Sequence, residues 1–196
     1  MSTFAFYADA SLTTPLTTLT TQHLTDASTD PIDAQIWLGS TASGKQLRAA
    51  SNPGTDQVAL TITQKIAAWS AAASIASGAK RRPTTTNNRI YQAGGAGTTG
   101  GTEPTWPTTI GATVTDNGIT WTCLAFEDTP NEVKLATTQA GLAGATAGAG
   151  LNLGTTLLSG TGNATPVWVR VTNPDANIQD QTMLHVETND VREDAV

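Results

Sequence analysis

This 196-residue chain has a single cysteine, Cys123, and only two histidines, His23 and His185. One cysteine excludes an internal disulfide framework, so robustness has to come from packing and oligomerisation. Because it lies beside Trp121 and Leu124, that cysteine is most simply a buried thiol. Nucleophilic catalysis needs a base within hydrogen-bond reach of the nucleophile, and the two histidines belong to no recognisable motif that would supply one. The sequence therefore predicts no catalytic residue, no cofactor and no enzyme.

Charged residues are scarce, since Lys, Arg, Asp and Glu together make up 13% of the chain, with a formal net charge of −6. Nucleic acid demands a basic surface, and the only basic run is Lys80–Arg82. We expect that run to be a solvated strand end or loop, and we expect no nucleic-acid partner. The chain has no run of about 18 apolar residues and no N-terminal signal pattern. We therefore expect no membrane insertion, and we expect the chain to be synthesised in a cytoplasm.

Two groups of acidic residues are conceivable metal ligands: Asp26, Asp30 and Asp33, and also Glu187, Asp190, Glu193 and Asp194. Calcium requires clustered oxygens with a glycine turn inside the loop, and neither group supplies that pattern. No metal site is predicted. Residues 188–194 are interpreted as a frayed acidic tail.

Threonine and glycine are abundant, with 37 and 18 residues. Threonine favours pleated, half-buried surfaces because it is β-branched, and glycine supplies turns. Alternation of apolar and polar residues predicts strands, most clearly at Ile32–Gly39, Gln57–Thr63 and Pro166–Val171. Seven or eight such strands without a long helical pattern predict an all-β fold, an immunoglobulin-like antiparallel β-sandwich.

The middle of the chain has a different character from its two ends. A glycine and threonine loop leads into a proline-flanked tryptophan, then into a turn and a strand with a second tryptophan. We interpret residues 66–126 as a small β module inserted into a discontinuous sandwich of residues 1–65 and 127–196. The alanine-rich run 65–79 is interpreted as a connector that is non-helical or only briefly helical.

A distinctive order of residues runs through this module: Trp69, Gly78, Arg82-Pro83, Asn88 to Tyr91, Gly97 to Gly100, Glu103-Pro104-Thr105-Trp106-Pro107, Gly111 to Gly118, and Trp121-Thr122-Cys123. This order resembles a small module that recurs in virion proteins of tailed bacteriophages and in prophage tail genes. The family usually has Asp-Gly at the turn before its last strand, whereas this chain has Asp116-Asn117-Gly118. Residues 132–136 and 166–170 also resemble phage structural proteins, though less specifically.

The resemblance implies a structural component of the virion, made in the cytoplasm of a bacterial host. The tail tip, baseplate or fibre region is the favoured location. A capsid decoration protein that cements the shell is one alternative, and a glycan-binding or glycan-degrading tail module is another. The implied partners are other virion proteins, further copies of this chain in a symmetric homo-oligomer, and a host-surface glycan.

Tyr91, Trp106 and Trp121 are the candidate ligand-binding residues, because aromatic faces stack on sugar rings in many small β modules. The alternative is that they form the core of the module, since a tryptophan buries about 150–250 Å². The glycine-rich segment 94–101 lacks the Lys-Ser/Thr ending and the following helix of a phosphate-binding loop, so a turning loop is predicted. The Thr/Leu-rich segment 12–24 lacks clean periodicity, and we interpret it as an arm that packs on a neighbouring subunit.

Overall fold

The computed structural model describes residues 2–24, 26, 28, 30–175 and 183–196. Three short 3-10 helices occur in them, at Pro130–Glu132, Ala140–Ala143 and Thr161–Asn163. The strands of the described residues are β1 (Ala5–Tyr7), β2 (Ile32–Gly39), β3 (Lys45–Ala49), β4 (Val58–Gln64), β5 (Ser74–Ile75), β6 (Lys80–Arg81), β7 (Arg89–Ala93), β8 (Gly97–Thr98), β9 (Thr113–Asp116), β10 (Ile119–Phe126), β11 (Val133–Ala136), β12 (Leu151–Gly154), β13 (Leu157–Leu158), β14 (Thr165–Val171), β15 (Leu184–Thr188) and β16 (Val191–Ala195). The predicted all-β class is confirmed, with antiparallel sheets.

The chain divides into two compact units. The larger unit contains the described residues of Met1–Thr63, Thr129–Ile178 and His185–Val196. The smaller unit contains Gln64–Asp128 and the described residues of Gln179–Leu184. The insert predicted from the sequence, residues 66–126, falls within the main segment of the smaller unit.

The larger unit has three sheets, with the strand orders β1-β2-β14-β11, β12-β4-β15 and β13-β3-β16. Strand β14 pairs with β2 along its whole length. Side chains alternate between the two faces of a strand, so Leu38 in β2 and both Val167 and Val169 in β14 are buried. The strand predicted at Ile32–Gly39 is confirmed with the same bounds.

The prediction of a frayed acidic tail at residues 188–194 is wrong. Val191–Ala195 forms β16, which pairs with β3. The Asp194 carboxylate accepts hydrogen bonds from Arg48 Nη2 at 2.6 Å and from Arg192 Nη2 at 2.5 Å. These guanidinium groups compensate the negative charge, so the acidic segment pairs in a sheet instead of repelling its surroundings.

The smaller unit has a four-stranded sheet, β6-β7-β10-β9, and the two-stranded pair β5-β8. Residues 65–79 contain no helix, which confirms the connector interpretation. Strand β5 within this connector pairs with β8, which belongs to the glycine-rich segment 94–101. A Cβ atom at Gly97 would lie 2.8 Å from Ile119 Cγ1, so the absence of a side chain at Gly97 lets the backbone of β8 lie close to the Ile119 side chain of β10.

Strands β9 and β10 form a hairpin with a two-residue loop. Asp116 pairs with Ile119, which leaves Asn117 and Gly118 as the loop residues. Their φ angles are 47° and 88°, and two successive positive φ angles are typical of the type I′ turn that matches the twist of a hairpin. The Asn-Gly dipeptide therefore sets the register that places Trp121 on the buried face of β10.

Replacement of Gly118 by alanine is expected to lower the free energy of unfolding by about 1–2 kcal/mol, because a Cβ atom is disfavoured at positive φ. Gly95→Ala is the matched control, since no atom lies within 4 Å of the added Cβ there and its φ is not positive. Urea denaturation of both variants measures the difference. Equal stability of the two variants would contradict the turn assignment.

Candidate functional site

The three aromatic residues predicted as a site lie together in the smaller unit. Tyr91 on β7 and Trp121 on β10 have 0% of their surface exposed, whereas Trp106, in the segment between β8 and β9, is half-buried. The rings of Tyr91 and Trp106 are 4.3 Å apart between centroids, with an interplanar angle of 36°. Trp106 and Trp121 meet edge to face at 5.8 Å.

This geometry separates the three predicted residues by role. Tyr91 and Trp121 belong to the core of the smaller unit, together with Ile75, Ile119 and Cys123. Only Trp106 offers surface that a ligand can reach. The structure therefore supports a core role for the two buried rings, and ligand contact stays a prediction for Trp106.

Trp106 is held in place by hydrogen bonds around its ring. Its indole Nε1 donates to Glu103 Oε1 at 2.8 Å. The same carboxylate accepts from the backbone N–H of Thr84 at 2.9 Å and from the Thr84 hydroxyl. The Tyr91 hydroxyl donates to the carbonyl of Pro107 at 2.7 Å. The Glu-Pro-x-Trp-Pro sequence thus forms a loop whose own residues fix the indole.

Glu103 carries a charge that these donors stabilise. Partial burial raises the pKa of its carboxyl, but the hydrogen bonds from Thr84 and Trp106 outweigh that effect and hold the pKa below its ordinary value. The ionised carboxylate of Glu103 is a better hydrogen-bond acceptor than the protonated carboxyl group. The contribution of these hydrogen bonds to the free energy of unfolding is therefore complete above the pKa of an unfolded glutamate. That contribution is lost as the pH falls through the lower pKa of the folded state.

Glu103→Gln is expected to lower the urea midpoint of the protein at about pH 7, because a glutamine amide cannot accept all three hydrogen bonds. The difference from the wild type should shrink towards zero at an acidic pH below the lowered pKa of the folded-state carboxyl, where the wild-type side chain is itself protonated. Asp190→Asn, which alters an exposed acidic residue of the larger unit, serves as the control. A difference that is the same at both pH values would contradict the assignment.

Asp116 joins three segments of the smaller unit through hydrogen bonds to its carboxylate. It is 4% exposed, and its Oδ2 accepts a hydrogen bond from Trp69 Nε1 at 2.8 Å. Its Oδ1 accepts from the backbone N–H of Gly100 at 2.7 Å, and a Cβ atom on Gly100 would lie 2.8 Å from that oxygen. One carboxylate therefore joins the connector, the glycine-rich segment and the hairpin. From the sequence, Asp116 is predicted only as a turn residue, because nothing local indicates Trp69 as its partner.

A shallow groove of about 300 Å³ lies beside Trp106. Two segments of the smaller unit line it: Pro83, Thr84, Thr85 and Asn87 from the first, and Glu103–Trp106 from the second. The lining combines one aromatic ring and two proline rings with hydroxyl groups and one carboxylate. Such a mixture of apolar and polar groups is suited to a ligand that has both kinds of surface.

His23 and Cys123 are two further titratable side chains that the sequence singles out. His23 Nδ1 lies 2.6 Å from Asp30 Oδ1, and His23 Nε2 lies 3.1 Å from the Thr21 hydroxyl. The imidazole is thus hydrogen-bonded on both nitrogens. Cys123 is buried, as predicted, and burial raises the pKa of its thiol.

The acidic residues weighed as metal ligands are dispersed. Asp33 forms a two-point ion pair with Arg170, with N–O distances of 2.6 and 2.8 Å, and these hydrogen bonds hold the pKa of Asp33 below its ordinary value. Within the described ranges, no group of three His, Cys, Asp or Glu side chains is arranged to hold a metal ion. No helix in the described part of the chain is long and apolar enough to cross a membrane.

Comparison with protein-family models, with curated proteins and with solved structures yields no match for this chain.

Proposed function

We propose that this chain is a structural component of a tailed-phage virion, located in the tail tip, baseplate or fibre region. It mediates protein–protein assembly and brings the smaller unit to the host surface. The observation that supports this proposal most is the arrangement of the residues through which the chain resembles the phage module. Trp69 bonds to Asp116, Glu103 bonds to Trp106, and Tyr91 stacks on Trp106. These contacts bring the residues that carry the resemblance together in one compact unit.

The larger unit, in this proposal, is an immunoglobulin-like sandwich that serves as the assembly platform. The antiparallel sheet β1-β2-β14-β11, with buried residues at Ile36 and Leu38 of β2 and at Val167 and Val169 of β14, supports this proposal as one layer of such a sandwich.

The Thr/Leu-rich segment supplies a further contact with a second copy of the chain. The first part of the predicted arm 12–24 packs within its own chain, since Leu12 is 3% exposed and Pro15 bridges to Tyr7, so the prediction is wrong there. Residues 17–24 contain no strand or helix, and Leu19 and Leu24 are 37% and 54% exposed. A segment outside the helices and sheets with exposed apolar side chains is suited to adding to a neighbouring subunit. The proposed assembly is a symmetric homo-oligomer.

The double variant Leu19→Ser, Leu24→Ser is expected to reduce self-association at least tenfold, because the exposed apolar contacts of the arm are removed. The fold should persist, since neither side chain is buried. Sedimentation equilibrium measures the association, and Thr17→Ser, Thr20→Ser on the same segment is the control. Unchanged association of the leucine variant would remove the arm from the proposal.

Purified particles from a phage lysate test the location of the protein. Quantitative mass spectrometry should find this chain in the particles at a small, fixed ratio to the major capsid protein. A copy number close to that of the major capsid protein would support the decoration alternative and contradict the tail location. Loss of the chain from particles during gradient purification would contradict both.

A further inference from the structure

The half-buried ring of Trp106 is supported from within the smaller unit. Tyr91 stacks against it and Trp121 meets it edge to face, and both of these rings are fully buried. The exposed part of the indole therefore belongs to the groove that Trp106 lines. Because Glu103 holds the indole N–H, the ring is fixed before any ligand arrives, which lowers the entropy lost on binding.

We propose that this groove binds one or two pyranose rings of a host-surface glycan, with the apolar C–H face of one ring stacked on Trp106. The proposal rests on the proposed virion function, which places the smaller unit at the host surface. Sugars of the β-linked glucose or N-acetylglucosamine type suit the site, because their equatorial substituents leave flat faces of C–H bonds. A volume of about 300 Å³ lies at the lower limit of ligand pockets, so only a short stretch of glycan fits.

The rim of the groove supplies polar groups for the sugar hydroxyls. Thr85 and Thr105 line the groove and are exposed, and their hydroxyls make no hydrogen bond to any described residue. Threonine hydroxyls both donate and accept, as sugar hydroxyls do. Proline-rich peptides, by contrast, dock in grooves lined by several aromatic rings, and here a single ring is exposed.

The groove is proposed to bind a glycan and not to cleave it. Its described lining contains one acidic residue, Glu103, whose carboxylate is occupied by Thr84 and Trp106. Most glycosidases need two carboxyl groups on either side of the scissile bond. Glu103 is therefore a positioning residue for the indole.

Titration of the full chain with two disaccharides, chitobiose and cellobiose, tests the proposal by NMR. The five tryptophans give separate indole N–H signals, which single substitutions assign. At least one disaccharide should shift the Trp106 signal, with a Kd of about millimolar order. Thr85→Ala with Thr105→Ala should weaken binding by about fivefold to tenfold without altering the rest of the spectrum. Trp106→Phe lacks that indole signal, so its binding is followed through the backbone amides of the groove and should be weaker as well, whereas Trp37→Phe in the larger unit should leave binding unchanged.

Three results would overturn the groove proposal: no shift of the Trp106 signal with either disaccharide at tens of millimolar, a shift with a proline-rich peptide only, or wild-type affinity in the double threonine variant. Failure of this proposal is distinguishable from failure of the virion proposal. A protein that is present in particles and binds no saccharide loses only the glycan assignment. A protein that binds saccharide and is missing from particles loses only the virion assignment.

Discussion

Replacement of Trp121 by alanine is expected to remove about 3–5 kcal/mol from the stability of the smaller unit. The side chain is 0% exposed and packs with Tyr91, Ile119 and Cys123, so its loss leaves a cavity that the short strands of this unit cannot close. Trp106→Ala should have a clearly smaller effect, because that ring is half exposed.

Hydrogen exchange of the backbone amides measures the effect of Trp121→Ala within each unit. Amides of β10 and β7 should exchange at least a hundredfold faster than in the wild type, since each 1.4 kcal/mol changes the open population about tenfold. Amides of β2 and β14 in the larger unit provide the internal reference. An effect of Trp106→Ala equal to that of Trp121→Ala would contradict the division into core and surface rings.

Trp121→Phe offers a finer test of the same packing. The indole N–H of Trp121 is buried without an acceptor among the described residues. Phenylalanine removes that unsatisfied donor while keeping an aromatic ring, so the loss of stability should be well below that of the alanine variant.

Asp116→Ala is the second variant for which we expect a large effect, about 3 kcal/mol or more. Two donors, Trp69 Nε1 and the backbone N–H of Gly100, lose their acceptor at a position that is 4% exposed. A buried donor without a partner forfeits about 1–3 kcal/mol, and bonds to a charged acceptor are at the upper end of that range. Asp116→Asn should recover part of the loss because one oxygen remains.

A double-mutant cycle with Trp69→Phe identifies the partner of Asp116. If the two side chains bond as in the structure, the losses in urea-unfolding free energy from Asp116→Ala and Trp69→Phe are not additive. Asp56→Ala is the control, since Asp56 is exposed and its side chain accepts a hydrogen bond only from the Ser51 hydroxyl in the described structure. Strict additivity of the cycle would contradict the Trp69–Asp116 hydrogen bond as a stabilising contact.

The local alternation of apolar and polar residues is sufficient to predict a strand that has one face in the core and the other towards solvent. Ile32–Gly39 has the bounds that the sequence indicated, because alternation with period two identifies a strand that is buried on one face. The Asn117-Gly118 turn was likewise readable, since few residues adopt two successive positive φ angles.

Features that depend on distant partners were not predictable in the same way. Strand β16 has the composition of a solvated tail, and Arg48, which compensates Asp194, lies more than a hundred residues earlier in the chain. The sequence predicts Tyr91, Trp106 and Trp121 together, as aromatic residues of one module. Which of them is exposed depends on the path of the segment between β8 and β9, and no local pattern specifies that path.

Immunogold electron microscopy of intact virions tests the central claim most directly. Antibodies raised against the purified chain should place gold at the tail end of the particles, with heads unlabelled. Gold on the heads would contradict the tail location and support a decoration protein. Particles without gold, in a lysate where the same antibodies detect the protein, would contradict a virion role.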